Sequence, residues 1–395
     1  MIDPLTLAAD LAWPLTLLIA WVAGELGRRW LRIPRISCYA IVGFALASTQ
    51  GGLLPPTPSE RILLLANIAV GLILFEAGYR INLRWLRANP WLAATSIAES
   101  ALSFLAVYAF VRWRGMPEDA SLLLAALAMA SSPATIVRVI NELRSSGQVT
   151  ERVLHLSALN SALAVLLLKV LVGLTPSDSV GEVTQQTYDT GLLLGAAVLS
   201  GLLMGAFVPA MLKAVRRTTQ DSTVAYALAV IVLVALNHSL DFSPILATIT
   251  FGMVSRHRRV FLTPSQRGFG TMGDILAVLL FVFVAVSLEW RQVGTGLGFG
   301  LAILLVRQAA KVLAIGGFAF LSGITWRKGL FTGLAMAPMS AIIILVLEQS
   351  RQLDIGMLEQ LAPLAAASLL MEMLGPIVVG RALHFAQETP DTSET

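Results

Sequence analysis

Apolar runs of about 20 residues, each long enough for a helix to cross a bilayer, recur along the chain between short polar loops. The pattern predicts about thirteen helical spans: 5–24, 36–52, 62–79, 91–111, 119–140, 153–174, 189–212, 222–239, 244–255, 271–288, 297–320, 329–348 and 360–380. The ninth is short for a crossing and is expected to run to about Arg256 or to begin earlier. Three spans carry polar interruptions near mid-depth. The fifth contains AMASSPATIVRV, with Pro133 inside an otherwise apolar helix. The twelfth contains GLAMAPMSAIIILV, with Pro338. The sixth, LHLSALNSALAVLLLKVLVG, places Asn160 and Ser161 near its middle.

Proline removes a backbone donor and breaks the helical ladder. In lipid the freed groups must face protein or a wet cavity. Interrupted helices at corresponding places in two halves point to the site of an inverted-repeat transporter. Spans 5 and 12 run in opposite directions through the bilayer, as inverted repeats require. Two unrelated proline kinks are the plainer alternative. The matched Leu-Ala-Met-Ala lead-ins, Leu127–Ala130 and Leu334–Ala337, favour a related pair. The expected fold is therefore an all-α polytopic membrane protein with two crossing discontinuous helices, around Pro133 and Pro338.

Composition agrees with this class. Of 395 residues, 56% are hydrophobic and 13% charged, with a mean hydropathy of +0.77. Soluble domains carry about 25% charged residues. Of the 28 Lys and Arg, 20 fall in the loops after odd-numbered spans, and five on the other side: Arg61, Arg112, Arg114, Arg291 and Arg351. The positive-inside rule then places the N-terminus outside and the C-terminus in the cytoplasm, in the cytoplasmic (inner) membrane. Residues 5–24 lack the basic flank of a cleaved signal peptide and read as a retained first helix. Residues 385–395 read as a short, polar, disordered cytoplasmic tail. The basic residues lie in scattered loops and form no patch for nucleic acid. The single Cys38 and four scattered histidines offer neither a disulfide nor metal-ligand spacing. No nucleophile–base pair or phosphate loop is evident, so neither an enzyme nor a cofactor is expected.

Charges inside the spans are the candidate chemistry. Lys169, Arg307 and Lys311 stand against Glu99, Glu372 and Glu76, the last toward the inner end of its span. Intramembrane ionisable residues are costly unless paired or wetted, and mark function by default. Arg307 and Lys311 are four apart and share a helix face. They either neutralise carboxylates and the ends of the broken helices, or form fixed salt bridges with Glu99 and Glu372. If all six charges pair, no carboxylate is spare. If Lys169 snorkels outward, one glutamate is in surplus and can carry protons. Ser131, Ser132 and Thr135 either offer oxygen ligands to an ion or satisfy groups freed by the break.

Several stretches in order carry a resemblance. These are PRISCYAIVGFALAS, GLILFEAGYRINLRWLR, LAMASSPATIVRVINELRSSG, SALNSALAVLLL, SPILATITFGMVSR and LLVRQAAKVL. Together they resemble the monovalent cation/proton antiporter superfamily (the sodium/hydrogen exchanger-like membrane domain) over nearly the whole chain. The resemblance implies an inverted-repeat antiporter fold in a single domain, 1–384. Its core bundle would be about 91–174 and 297–384, and its scaffold and dimer part about 1–90 and 187–290. It implies a homodimer exchanging Na+ or K+ for protons by alternating access. It implies that Glu76 and Arg307 hold Asn160, and that Glu99, on a helix beside the broken one, is the proton-carrying candidate. The superfamily has an aspartate where this chain has Ser161, and another where it has Ser132 in the Thr-Asp-Pro motif. A serine hydroxyl can help coordinate Na+ but does not titrate. An organic or anionic solute transporter on the same fold, or a transport-inactive sensor or partner homologue, are the alternatives.

Overall fold

The computed structural model describes residues 4–31, 33–48, 51, 52, 54, 60–174, 180–214, 219–240, 242–258, 269–286, 290–340 and 355–390. Fifteen α-helices lie among them and no strand. They are α1 (Pro4–Leu26, followed by a π-helical turn, Gly27–Leu31), α2 (Arg35–Leu46), α3 (Glu60–Arg80), α4 (Leu83–Ala88) and α5 (Pro90–Trp113). The two halves of the fifth span follow as α6 (Glu118–Met129) and α7 (Pro133–Leu143). Then come α8 (Gln148–Leu174), α9 (Val180–Ala214), α10 (Thr219–Ser239), α11 (Pro244–His257) and α12 (Gly270–Val286). The chain ends in α13 (Trp290–Gly317), α14 (Trp326–Ala335) and α15 (Ile355–Phe385).

Local chemistry sets several helix starts. Pro90, Pro133 and Pro244 each open a helix, where their missing N–H costs nothing. Asn82, Ser132, Ser243 and Thr325 cap α4, α7, α11 and α14 by accepting first-turn amides on their side chains.

Six helices among the described residues are long and apolar enough to cross a membrane, lying within α5, α8, α9, α10, α13 and α15. Their outward faces are apolar in register. Leu199, Leu203 and Phe207 on α9, and Val224, Leu228 and Val232 on α10, are all exposed at four-residue spacing. Such stripes in water would be a large hydrophobic patch; in lipid they are solvated. The chain is an integral membrane protein.

Packing sorts the helices by neighbour. α5, α6, α8, α13, α14 and α15 contact one another, and α7 lies between α8 and α15. α3 packs on α10, α11 and α12, α9 packs on α11, and α2 packs on α1 and α12. α3 and α11 approach closely: Gly78 lies on the Ile249 carbonyl, and Gly252 on that of Phe75, with no room for a Cβ. Phe75, Tyr226 and Phe251 form an aromatic cluster beside that contact. The two sets meet where α8 faces α9 and α11, where α3 faces α7 and α8, and where α15 faces α2.

The fifth span is two helices, because Ala130–Ser132 leave helical geometry where the break around Pro133 is expected. The ninth, α11, has 14 residues and ends at His257, next to the expected Arg256. The structure departs from the sequence pattern in two places. α9 begins at Val180, well before residue 189, because its polar first turns continue the helix beyond the apolar run. The tail is not free as far as Pro390: Glu388 is buried, and its carboxylate caps α8 through the amides of Val149 and Thr150, both at 2.8 Å. The second half of the twelfth span, 341–348, and the last tail residues, 391–395, lie outside the described residues.

Candidate functional site

Two helix breaks meet at the centre of the site. One is Ala130–Ser132, between α6 and α7. The other begins at Met336, after α14, and runs through Ser340. Ser131 and Met339 form an isolated antiparallel bridge, and the Ser132 amide donates to the Pro338 carbonyl at 3.0 Å.

Backbone that leaves a helix inside a membrane must find new partners. Four consecutive carbonyls, from the end of α6 into the break, do so through side chains. Ala128 accepts from Arg307 Nε at 2.5 Å, and Met129 from Lys311 Nζ at 2.9 Å. Ala130 accepts from Arg307 Nη2 at 3.0 Å, and Ser131 from Ser161 Oγ at 2.7 Å. On the other break, Met336 accepts from Ser131 Oγ at 3.0 Å and Ala337 from Arg307 Nη1 at 2.8 Å. Pro338 accepts a second bond from Arg307 Nη2 at 3.3 Å. The Ser131 amide donates to Asn160 Oδ1 at 2.7 Å. Pro133 has no amide to satisfy, and Ser132 Oγ accepts the Thr135 amide at 3.2 Å while lying 2.9 Å from Thr135 Oγ1.

The charges follow the same logic. A helix C-terminus carries about −0.5 elementary charge. α6 and α14 both end at the crossing with partial negative charge, and α7 starts there with partial positive charge. Arg307, fully buried, lays its planar fork of donors over both ends. Lys311 is neutralised differently: Nζ is ion-paired with Glu99 Oε1, and both side chains are fully buried. Glu99 Oε2 accepts from Asn160 Nδ2 at 3.0 Å, and Asn160 Nδ2 also reaches Ser100 Oγ at 2.9 Å.

The structure thus gathers Ser131, Ser132, Thr135, Asn160, Ser161, Glu99, Arg307 and Lys311 around the breaks at Pro133 and Pro338. Two residues stand apart. Glu76 lies in the last turn of α3, where Oε1 accepts from Arg80 Nη2 at 2.8 Å and Asn141 Nδ2 at 3.0 Å. Glu372 is buried on α15, and its Oε2 has no hydrogen-bond partner among the described residues.

Two expectations are corrected by this geometry. Asn160 is held by Glu99, Ser100 and the Ser131 amide, and not by Glu76 and Arg307. Glu76 is claimed by its neighbour one turn on, and the Arg307 guanidinium is spent on carbonyls. Nor is Glu99 the surplus carboxylate, because Lys311 pairs with it. Of the two readings of the α13 cations, Arg307 takes the first, and Lys311 combines both, bridging Glu99 and the Met129 carbonyl at the end of α6. The Lys169 side chain lies outside the described residues.

Ser100 was not anticipated, although a signal existed. Thr95, Ser96, Glu99, Ser100 and Ser103 are all buried on α5, forming a polar stripe at helical spacing along an otherwise apolar span. Asn141 and Arg80 were likewise missed, though Arg80 stands four residues from Glu76, the spacing of a helical ion pair.

Comparison with known proteins fits this architecture. The family described as sodium/hydrogen exchanger, transmembrane, matches residues 15–384. The chain is similar to the low-affinity Na+/H+ antiporter NhaS1 of a Synechocystis strain, at 27% identity over 177 residues. That alignment spans 44% of this chain and 33% of the relative's length. Among solved structures, the sodium proton antiporter MjNhaP1 of Methanocaldococcus jannaschii at pH 8 superimposes with a TM-score of 0.75 at 16% identity, covering 96% of this chain and 98% of that one. An electron-microscopy structure of the same antiporter gives a TM-score of 0.71, also at 16% identity, over 98% of this chain and 96% of its own. At such identities the likeness is one of fold. With the exchanger match running over nearly its whole length, the chain belongs to the sodium/hydrogen exchanger family.

Proposed function

We propose that the chain is a secondary active transporter that exchanges a monovalent cation, Na+ or K+, for protons by alternating access. The observation that carries this is the antiparallel crossing of two helix breaks, in a chain of this family, with its buried charges cancelled in place. Arg307 is set against the ends of α6 and α14, and Lys311 against Glu99, so each buried cation has a counter-charge among the described residues. Ser132 and Thr135 set two hydroxyl oxygens side by side at this point. The similar proteins from Synechocystis and Methanocaldococcus carry sodium/proton antiport in their names, and the same exchange is proposed here.

In this proposal α5–α8 and α13–α15 form a core bundle that rocks against a scaffold of α1–α3 and α9–α12. Three contacts from α7 to the scaffold support a closed end. Arg138 donates to Asp274 Oδ1 at 2.8 Å and to the Gly273 carbonyl at 2.7 Å on α12. Asn141 donates to Glu76 on α3, and Glu142 accepts the Arg35 amide of α2 at 3.3 Å. By the positive-inside rule this is the cytoplasmic end. About thirteen spans, an inverted repeat, a homodimer and residence in the inner membrane complete the proposal.

Purified protein in liposomes with a trapped pH dye tests it. Pulses of Na+, K+ or Li+ across an imposed proton gradient should dissipate that gradient. No response to any of them would overturn the proposal.

A further inference from the structure

We propose that Glu372 binds the transported proton. The inference rests on the exchange proposed for this chain and assigns it a chemical group. Ser161, on the central helix, has a hydroxyl that does not titrate near neutral pH, and it is committed to the Ser131 carbonyl. Glu99 is paired with Lys311, and Glu76 with Arg80 and Asn141. Glu372 is the remaining intramembrane carboxylate of the candidate set.

Its position fits the task. Residues 368, 372 and 375 fall on one face of α15. That face abuts the crossing: a Cβ on Gly375 would lie 3.2 Å from Pro338 Cα, Cβ and Cγ. Ser368 Oγ and Glu372 Oε2 are both buried, and neither has a hydrogen-bond partner among the described residues. A buried carboxylate with an oxygen left unpartnered holds a charge only at high cost, so it favours the neutral acid or a bound cation. Two unpartnered polar groups thus lie one turn apart on the face that touches the second helix break.

The charged groups on the elements packed against α15 are engaged elsewhere or lie at helix ends. Arg307 and Lys311 on α13 hold the crossing. Arg138 on α7 pairs with Asp274 on α12. Glu142 on α7 meets Arg28 and the Arg35 amide at the start of α2. Glu118 and Asp119 stand in the first turn of α6, and Arg327 and Lys328 in that of α14. No ion pair to Glu372 forms among the described residues.

The step balances simply. The protonated carboxyl gives its proton to water on one side, and a monovalent cation takes its place on the carboxylate. On the other side the cation leaves and a proton from water returns.

The test uses the full chain in proteoliposomes, with wild type, Glu372→Gln and Glu372→Asp compared over a range of pH. A second readout is proton release from solubilised protein in unbuffered solution on adding Na+ or K+. Wild type should exchange, and should release protons on cation addition. Glu372→Gln should lose both signals completely while eluting as a single species. Glu372→Asp should retain exchange with a displaced pH profile, which also decides the matter if the glutamine variant fails to fold. Exchange by Glu372→Gln at the wild-type rate, or an unchanged pH profile in Glu372→Asp, would overturn the inference and leave the exchange proposal standing. Silence of wild type in both assays would overturn the exchange itself.

Discussion

Lys311 Nζ meets Glu99 across 212 residues of sequence, with both side chains wholly buried. The pair joins α13 to α5 and, through Glu99 Oε2, to Asn160 on α8. Removing one partner leaves a buried, uncompensated charge, which costs about 3–5 kcal/mol, whereas removing both is often close to neutral. Glu99→Gln and Lys311→Met should each lower the unfolding temperature in detergent strongly, and the double variant should recover much of the loss. Equal and additive losses would show that the two residues do not act as a pair.

Arg307→Lys should fail to replace arginine despite keeping the charge. Arg307 serves carbonyls on both breaks through Nε, Nη1 and Nη2. A lysine ammonium is a compact point charge and cannot span them. Each buried carbonyl left without a donor costs about 1–3 kcal/mol. Thermal unfolding and yield of monodisperse protein should both fall sharply, and a lysine variant as stable as wild type would contradict this account of the crossing.

Ser161→Ala should be mild. It removes one neutral hydrogen bond to the Ser131 carbonyl, worth about 1 kcal/mol or somewhat more since the acceptor stays buried. Cation-driven proton flux in liposomes should persist. A complete loss of flux in a stably folded Ser161→Ala protein would place the hydroxyl among the ion ligands.

Asn141→Ala should loosen the end of the molecule where α7 is tied to α3. The asparagine donates to Glu76 and accepts from Arg80. With Cys38→Ser as background, Thr135→Cys places a thiol at the start of α7. A water-soluble thiol reagent should label it faster when Asn141→Ala is added. Unchanged labelling would remove these contacts from any gating role.

Glu388→Ala should destabilise the start of α8. Its carboxylate accepts the Val149 and Thr150 amides and the Thr150 hydroxyl. Loss of a helix N-cap costs about 1–2 kcal/mol, and the acceptor here is charged. The drop in unfolding temperature should be reproduced by ending the chain before residue 388.

The breaks at Pro133 and Pro338 were legible because their cause is local: a proline, small residues and a hydroxyl cap within a few positions. The partners of Arg307, Lys311 and Asn160 were not. Arg307 serves the backbone carbonyls of Ala128, Ala130 and positions 336–338, and carbonyls carry no sequence signature. Resemblance points Glu76 toward Asn160, whereas the arginine at i+4 claims it. The polar composition of the tail hides one specific cap, Glu388, whose acceptor role depends on a helix start 239 residues away.

The joint between Gly78 and Gly252 bears on how the molecule can move. Backbones in direct contact leave no slack, so α3 and α11 act as a single strut. Beside it, α8 meets α9, α11 and the residue before α11's cap through apolar side chains in one cluster: Ala162 and Val165 with Leu194, Ala197, Val198, Phe242, Ile245 and Leu246. Apolar contact is non-directional, so one such surface can slip over another without breaking a bond. For the exchange proposed above, a stiff rail flanked by a greased seam would allow travel along the rail and resist tilting across it, with the helix bearing Asn160 and Ser161 as the part that rides there.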